Sequence, residues 1–205
     1  MTIKFKLDVG DSLIERMLLE EGYEVVDYLR EADVFFFVGG ADVNPELYDE
    51  RNTHSSVDNQ HDEASTRLYY SDIYKPRVGV CRGGQFLNAM SGHRLHQHVE
   101  NHAIGGTHPV LDTRSGLVYR CTSTHHQMMR IDDVVQKWQE DTPSLVLATA
   151  EIEGVGHDEP QIEAIWYPST KSLCFQPHPE YVYKVHECRK LFRSYLDEFI
   201  IPLVN

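Results

Sequence analysis

Cys81 has the setting of a nucleophile. It lies in Val78-Gly79-Val80-Cys81-Arg82-Gly83-Gly84-Gln85, with one glycine two residues before it and another two residues after. A short apolar run reaches the cysteine and a helix-compatible stretch follows at once, the pattern of a nucleophile elbow. Side chains at Gly79 or Gly83 would crowd so tight a turn. A thiol at a helix N-terminus also meets the positive end of the helix dipole, which favours thiolate. Such a thiol needs a base and a group that orients the base. Gln176-Pro177-His178-Pro179-Glu180 offers both. The two prolines stiffen the backbone around His178. Glu180 is spaced to accept the second imidazole N–H and fix the tautomer. Alone, His178 would be an ordinary loop histidine; joined to the elbow and to Glu180, it reads as catalytic.

Positioning these groups requires strands that end at one rim. Val34-Phe35-Phe36-Phe37-Val38 is apolar throughout, as in a central parallel strand covered on both faces, and it runs into Gly39-Gly40. Ile3 to Leu7 alternates apolar and polar residues and reads as a strand, as does Tyr23 to Val26. Between them Asp11 and Ser12 can cap a helix carrying Leu13, Ile14, Met17 and Leu18. Asp49 to Asp62 is polar and aperiodic and reads as a surface loop, with a helix from about Glu63 to Tyr74. Gly92 to Pro109 is rich in Gly and His, with a short strand at Arg94-Leu95-His96. Leu117 to Cys121 and Ser144 to Thr149 read as strands, and Ile162 to Trp166 with Ser172 to Gln176 as a strand pair. Val185, Cys188, Leu191, Phe192, Tyr195, Leu196 and Phe199 form the apolar stripe of a last helix. Alternating strands and helices predict an α/β domain whose ligand lies beyond the carboxyl ends of the strands.

Bulk properties narrow the function. The 205 residues suit one domain over 1–205, and 25% charged with 41% hydrophobic residues is ordinary for a globular protein. A formal net charge of -13 argues against nucleic acid as the main ligand. No apolar run is long enough to span a bilayer, so no membrane association is expected. Cys81, Cys121, Cys174 and Cys188 are widely spaced, which suits a reduced cytoplasmic setting; the last three are expected in the core.

Gly79 to Gln85, His178-Pro179-Glu180 and Gly39-Gly40-Ala41-Asp42-Val43-Asn44-Pro45-Glu46-Leu47-Tyr48 together resemble a class I glutamine amidotransferase domain. More narrowly they resemble its γ-glutamyl-hydrolase branch, which includes γ-glutamyl-GABA hydrolases. Asn88 to Gly92 and Ser123-Thr124-His125-His126-Gln127 add to the match, which runs from Val34 to Tyr181. The resemblance implies a three-layer, flavodoxin-like α/β fold with a mostly parallel central sheet and helices on both faces. It implies Cys81 as nucleophile, His178 as base and then acid, and Glu180 as its orienter. The oxyanion hole would be the backbone N–H groups of Gly40 and Arg82, and the glutamyl ends would be held by Gln85, Ser123, His125 and His126. The substrate would be glutamine, with ammonia delivered to a separate synthetase subunit, or a γ-glutamyl conjugate hydrolysed without a partner. No cofactor is implied. A fold kept as a binding module with an idle site is the remote third reading, disfavoured by the intact Cys81, His178 and Glu180 set. Departures from the family pattern, Val38, Gly84, His93 and Pro177, fall around the pocket and bear on substrate more than on reaction.

Twelve histidines raise the question of a metal. His93, His96, His98, His102 and His108 cluster in sequence, with His125 and His126 not far on. Neither His-Glu-x-x-His nor paired cysteines accompany them. The expectation is therefore a polar loop over the cleft and no metal site, with His96 and His98 as the pair of most interest.

Overall fold

The computed structural model describes residues 2–132, 135, 143–150, 160–181 and 186–204. Its strands are β1 (Lys4–Leu7), β2 (Glu24–Val25), β3 (Val34–Phe37), β4 (Arg77–Val80), β5 (Arg94–His96), β6 (Gly106–Asp112), β7 (Val118–Ser123), β8 (Met128–Arg130), β9 (Leu145–Ala150), β10 (Gln161–Tyr167) and β11 (Ser172–Phe175). The helices are α1 (Ser12–Glu20), α2 (Asn59–Ser71), α3 (Arg82–Met90) and α4, described over His186–Tyr195. The main sheet order is β2-β1-β3-β4-β11-β10-β9-β6-β7, with β8 joining β10 to β5. Pairing is parallel from β2 through β11 and antiparallel from β11 outward. A flavodoxin-like parallel unit thus carries an antiparallel extension.

The apolar strand β3 is buried along its whole length, and its residues alternate between two cores. Val34 and Phe36 face α1 and α4, where Ile14, Met17, Leu18, Leu191, Phe192 and Tyr195 cover them. Phe35 and Phe37 face the opposite side, against Leu68, Tyr69, Phe86 and Leu87 of α2 and α3. Helices therefore clothe both faces of the parallel unit. Cys121, Cys174 and Cys188 are fully buried, as expected of small apolar residues. Val185 of the expected helix stripe lies outside the described residues.

Helix α2 begins at Asn59, earlier than the predicted Glu63 and inside the predicted loop. Asp58 is the reason: its carboxylate accepts from the N–H groups of Gln60 and His61. Strands β6 and β8 were not anticipated. In β6 the inward positions are His108, Val110 and Asp112, so two of three buried side chains are polar and hydropathy hides the alternation. Pro109, which cannot donate to a ladder, is exposed.

The order β3-β4-β11 is the consequence that matters. These are parallel neighbours, with Phe37 opposite Gly79 and Phe175 opposite Val80. Gly39-Gly40, Cys81 and the Gln176 to Glu180 segment consequently leave three adjacent strands at the same rim.

Candidate active site

Cys81 sits between β4 and α3 with φ 51° and ψ −114°, a left-handed conformation that few residues other than glycine adopt. A conformation of this kind costs on the order of 1–3 kcal/mol and is held by its surroundings. Its N–H is fixed by the Phe175 carbonyl at 2.8 Å, and its carbonyl accepts from Gln85 N–H at 3.0 Å. The two glycines are required by contact with other backbone. A Cβ on Gly79 would overlap the carbonyl of Gly83, and one on Gly83 would overlap the carbonyl of Phe37.

The ring of His178 lies beside the thiol. A Cβ on Gly39 would stand 2.9 Å from His178 Cε1 and 3.8 Å from Cys81 Cβ, which shows how closely the Gly39 turn approaches both. On its other side, His178 Nδ1 is 2.5 Å from Glu180 Oε1. The ring stacks on Tyr181 at 4.5 Å between centroids, and the backbone N–H of His178 donates to Thr122 Oγ1. Burial disfavours a charged imidazole, but the charge and hydrogen bond of Cys81, together with those of Glu180, outweigh it and raise the His178 pKa to about 12. The Cys81 and Glu180 side chains thus flank the imidazole and together favour its charged form.

Gly40 adjoins Arg82 in space, since a Cβ there would lie 3.9 Å from Arg82 Cδ. The N–H of Arg82 opens α3, where helix geometry supplies no acceptor. Arg82's guanidinium points elsewhere. It is buried against Ser65 Oγ at 2.6 Å and Asp62, with Asp8 at 3.7 Å, and Asp8 in turn meets His61. That network was not foreseen, because its members come from the turn after β1, from α2 and from α3. It fixes the first turn of α3 and with it the Cys81 corner.

The residues expected to hold the substrate divide into two groups. Gln85 is near the thiol: its amide donates to Gln127 O at 3.0 Å and Gln176 Oε1 at 3.2 Å, and Gln176 Nε2 approaches Cys81 Sγ at 3.8 Å. His126 is part-exposed and bonds Asp42 of the Gly-Gly loop at 3.0 Å, tying the two loops of the rim together. Ser123 and His125 are turned inward. The Ser123 hydroxyl donates to the His102 carbonyl at 2.8 Å. His125 Nδ1 faces the Gln127 carbonyl at 2.9 Å, and its Nε2 faces His102 and Glu163. Both side chains are buried and hydrogen-bonded within the protein. Gln176, Thr122 and Tyr181 were missed as supporting residues, although Gln176 directly precedes the Pro177-His178 pair.

The expected polar loop over the cleft also needs correction. His98 does stay near the surface, with its ring beside those of His54 and His126, and His96 lies on β5. His102 and His108, however, are buried, and they meet His125 and Glu163 of β10 in one cluster.

A family model, Peptidase C26, matches residues 16–180. The chain belongs to the Peptidase C26 family. This placement within the class I glutamine amidotransferase-like proteins rests on a match running from within α1 to Glu180. The glutamine amidotransferase-like protein YvdE of Lactococcus lactis is 33% identical over 95 residues, covering 44% of this chain and 39% of that protein. The chain thus matches well under half of that relative's length. Among solved structures, PurLQS from Thermotoga maritima superposes with a TM-score of 0.64 at 19% identity, covering 96% of this chain and 99% of that one. A glutamine amidotransferase from Thermotoga maritima gives 0.59 at 14% identity, covering 100% of this chain and 87% of that one. At such identities these likenesses establish the flavodoxin-like amidotransferase fold. No helix among the described residues of this Peptidase C26 member is long and apolar enough to cross a membrane.

Proposed function

We propose that this protein hydrolyses a γ-glutamyl amide through a γ-glutamyl thioester on Cys81. One observation carries the reading: a cysteine on a strained, glycine-cleared turn beside an imidazole whose far nitrogen is 2.5 Å from a carboxylate. Cys81 Sγ attacks the γ-carbonyl carbon, forming a C–S bond and placing negative charge on oxygen. The N–H groups of Gly40 and Arg82 are the donors for that oxyanion, a role that fixed backbone dipoles fill without reorganising. His178, held as imidazolium, gives its proton to the leaving nitrogen as the C–N bond breaks. His178 then takes a proton from water, which attacks the thioester and releases the γ-carboxylate. The thiolate and imidazolium are restored. Glu180 keeps the imidazole oriented and its charge compensated throughout.

The leading substrate is glutamine, with ammonia passed to a separate synthetase partner. Support comes from the glutamine amidotransferase-like relative and from the matching solved structures. Gln85 and His126 are the remaining candidates for holding the glutamyl ends, being the two expected binders whose side chains line the rim. A second reading, cleavage of γ-glutamyl conjugates with water as the only acceptor, draws on the family's peptidase description and on the Gly39 to Tyr48 loop.

The deciding experiment measures glutamate release from glutamine and from a panel of γ-glutamyl amines, with wild type and Cys81→Ala in parallel. Release that is lost in the variant supports the common mechanism. Slow glutamine turnover that rises with a synthetase supports the first substrate reading, whereas efficient conjugate cleavage by the chain alone supports the second. Wild-type rates in Cys81→Ala would overturn both.

A further inference from the structure

Behind the rim, four side chains from four separate parts of the antiparallel extension converge. His102 comes from the loop before β6, His108 from β6, His125 from the loop after β7, and Glu163 from β10. All are buried, and one ligand atom from each lies within 4.8 Å of every other. Three imidazole nitrogens surround a single carboxylate oxygen. Glu163 Oε1 is 3.3 Å from His102 Nδ1, 3.2 Å from His108 Nε2 and 3.4 Å from His125 Nε2.

In neutral rings, the outer hydrogen bonds select which nitrogen carries the proton. His125 Nδ1 faces the carbonyl of Gln127 at 2.9 Å, so Nδ1 is the donor and Nε2 of the neutral ring presents a lone pair. His102 Nε2 faces Gln161 Oε1 at 3.0 Å, which leaves a lone pair on its Nδ1. These two lone-pair nitrogens are 3.3 Å apart and both point at a carboxylate. Atoms so rich in electrons repel one another unless a cation lies among them. A set of imidazolium N–H donors is the competing explanation, yet the contacts to Glu163 lie off hydrogen-bond alignment. Neither Glu163 oxygen, nor either nitrogen of His108, has a hydrogen-bond partner. An orphaned buried carboxylate is costly, whereas metal coordination would satisfy it.

We infer that His102, His108, His125 and Glu163 form a buried site for a divalent first-row metal ion, with zinc the best fit to its three nitrogens and one oxygen. Tetrahedral bonds of ~2.0–2.1 Å give ligand-to-ligand edges of roughly 3.3–3.4 Å, which is the spacing around Glu163 Oε1. Ligating histidines characteristically give their outer N–H to a carbonyl or carboxylate, as His125 and His102 do here. Four buried protein ligands leave no open position, so the ion is structural. It pins the segments around 102–108 and 125–127 to β10, whose Glu163 carbonyl accepts from Gln176 N–H at 2.8 Å. His126 and Gln127, which meet Asp42 and Gln85 at the rim, are carried by the same pinned segment. The inference does not depend on what Cys81 attacks.

The test is metal content of the full chain without an affinity tag, measured for all first-row metals after gel filtration. About one equivalent of zinc, or of another divalent ion at that stoichiometry, is expected per chain. X-ray absorption at the metal edge should show four nitrogen or oxygen neighbours at about 2.0–2.1 Å, with the outer-shell scattering of imidazole. His108→Gln should lose the metal, while the surface double variant His54→Ala/His98→Ala should retain it. Should His108→Gln fail to fold, the absorption spectrum and chelator-and-readdition titrations on wild type still decide. Folded wild type that holds no stoichiometric metal and takes up no added zinc overturns the site. Retention by folded His108→Gln, or loss only in the His54/His98 variant, overturns it equally.

Discussion

The Cys81 rim and the histidine cluster occupy two halves of one sheet and differ in what makes each of them reactive. At the rim, backbone does the work. A parallel strand ends in a turn with φ 51°, glycines clear the space, and a helix begins at the next residue. At the cluster cross-strand register does the work, since antiparallel pairing sets His108 opposite Cys121, two residues before Ser123. The rim places strain at Cys81 on its turn; the cluster gathers donors in the interior with every ring buried. The difference teaches that chemistry can be encoded locally by conformation or remotely by cross-strand register. Substitutions should separate the two. Those at the rim should change turnover with little loss of stability, and those that disturb packing should do the reverse.

The largest expected effect is at the nucleophile. Cys81→Ala should lower kcat by about 10⁴-fold or more while the melting temperature stays near that of wild type. A variant that retained a tenth of the wild-type rate would place the chemistry elsewhere. Glu180→Gln should follow with a loss of about 10²–10³-fold in kcat and little change in KM, because it removes charge without removing volume. Unchanged kcat would mean that the 2.5 Å contact to His178 has no catalytic weight.

Gly83→Ala tests the backbone side of the comparison. Its Cβ would overlap the Phe37 carbonyl, so unfolding should be easier by about 2–4 kcal/mol, read from urea melts. Gly10→Ala, where the new methyl meets nothing within 4 Å, is the matched control and should change stability by less than about 0.5 kcal/mol. Equal effects at the two positions would refute the steric account of the elbow.

The smallest effect expected is a pH dependence. His178 has a folded pKa of about 12, raised above the ordinary histidine value of roughly 6.5. The folded state therefore binds more protons than the unfolded state between those values. The stability this provides is complete below the unfolded pKa and falls as pH rises toward the folded one. Wild type should lose stability from neutral to alkaline pH more steeply than His178→Gln, as compared by melts across that range. Parallel profiles would show that the imidazolium is not held by its neighbours.

This contrast also explains what could be read from the sequence. Gly79 to Gln85 and Gln176 to Glu180 are contiguous, and the strands leading into them are largely apolar, so the parallel unit and its rim were legible. The α/β class and the buried Cys121, Cys174 and Cys188 followed from the same patterns. Strand β6 was not legible, because Asp112 and His108 take inward positions that hydropathy assigns to the surface. The cluster was illegible for the same reason and one more: 61 residues of sequence numbering separate His102 from Glu163, and only the sheet order joins them. His96 and His98, one residue apart, drew attention that belonged to His102 and His108. The family resemblance assigned Ser123 and His125 to the substrate; in the structure the Ser123 hydroxyl bonds the His102 carbonyl and His125 joins the cluster.

The central claim, that Cys81 attacks the γ-glutamyl carbonyl, is tested most directly by covalent capture. The protein is incubated with a glutamine analogue bearing an electrophilic carbon at the γ position, and the modified peptide is mapped by mass spectrometry. The account predicts a single adduct on Cys81, protection by excess substrate, and no adduct in Cys81→Ala. An adduct on Cys121, Cys174 or Cys188, or full inactivation with Cys81 unmodified, would contradict it.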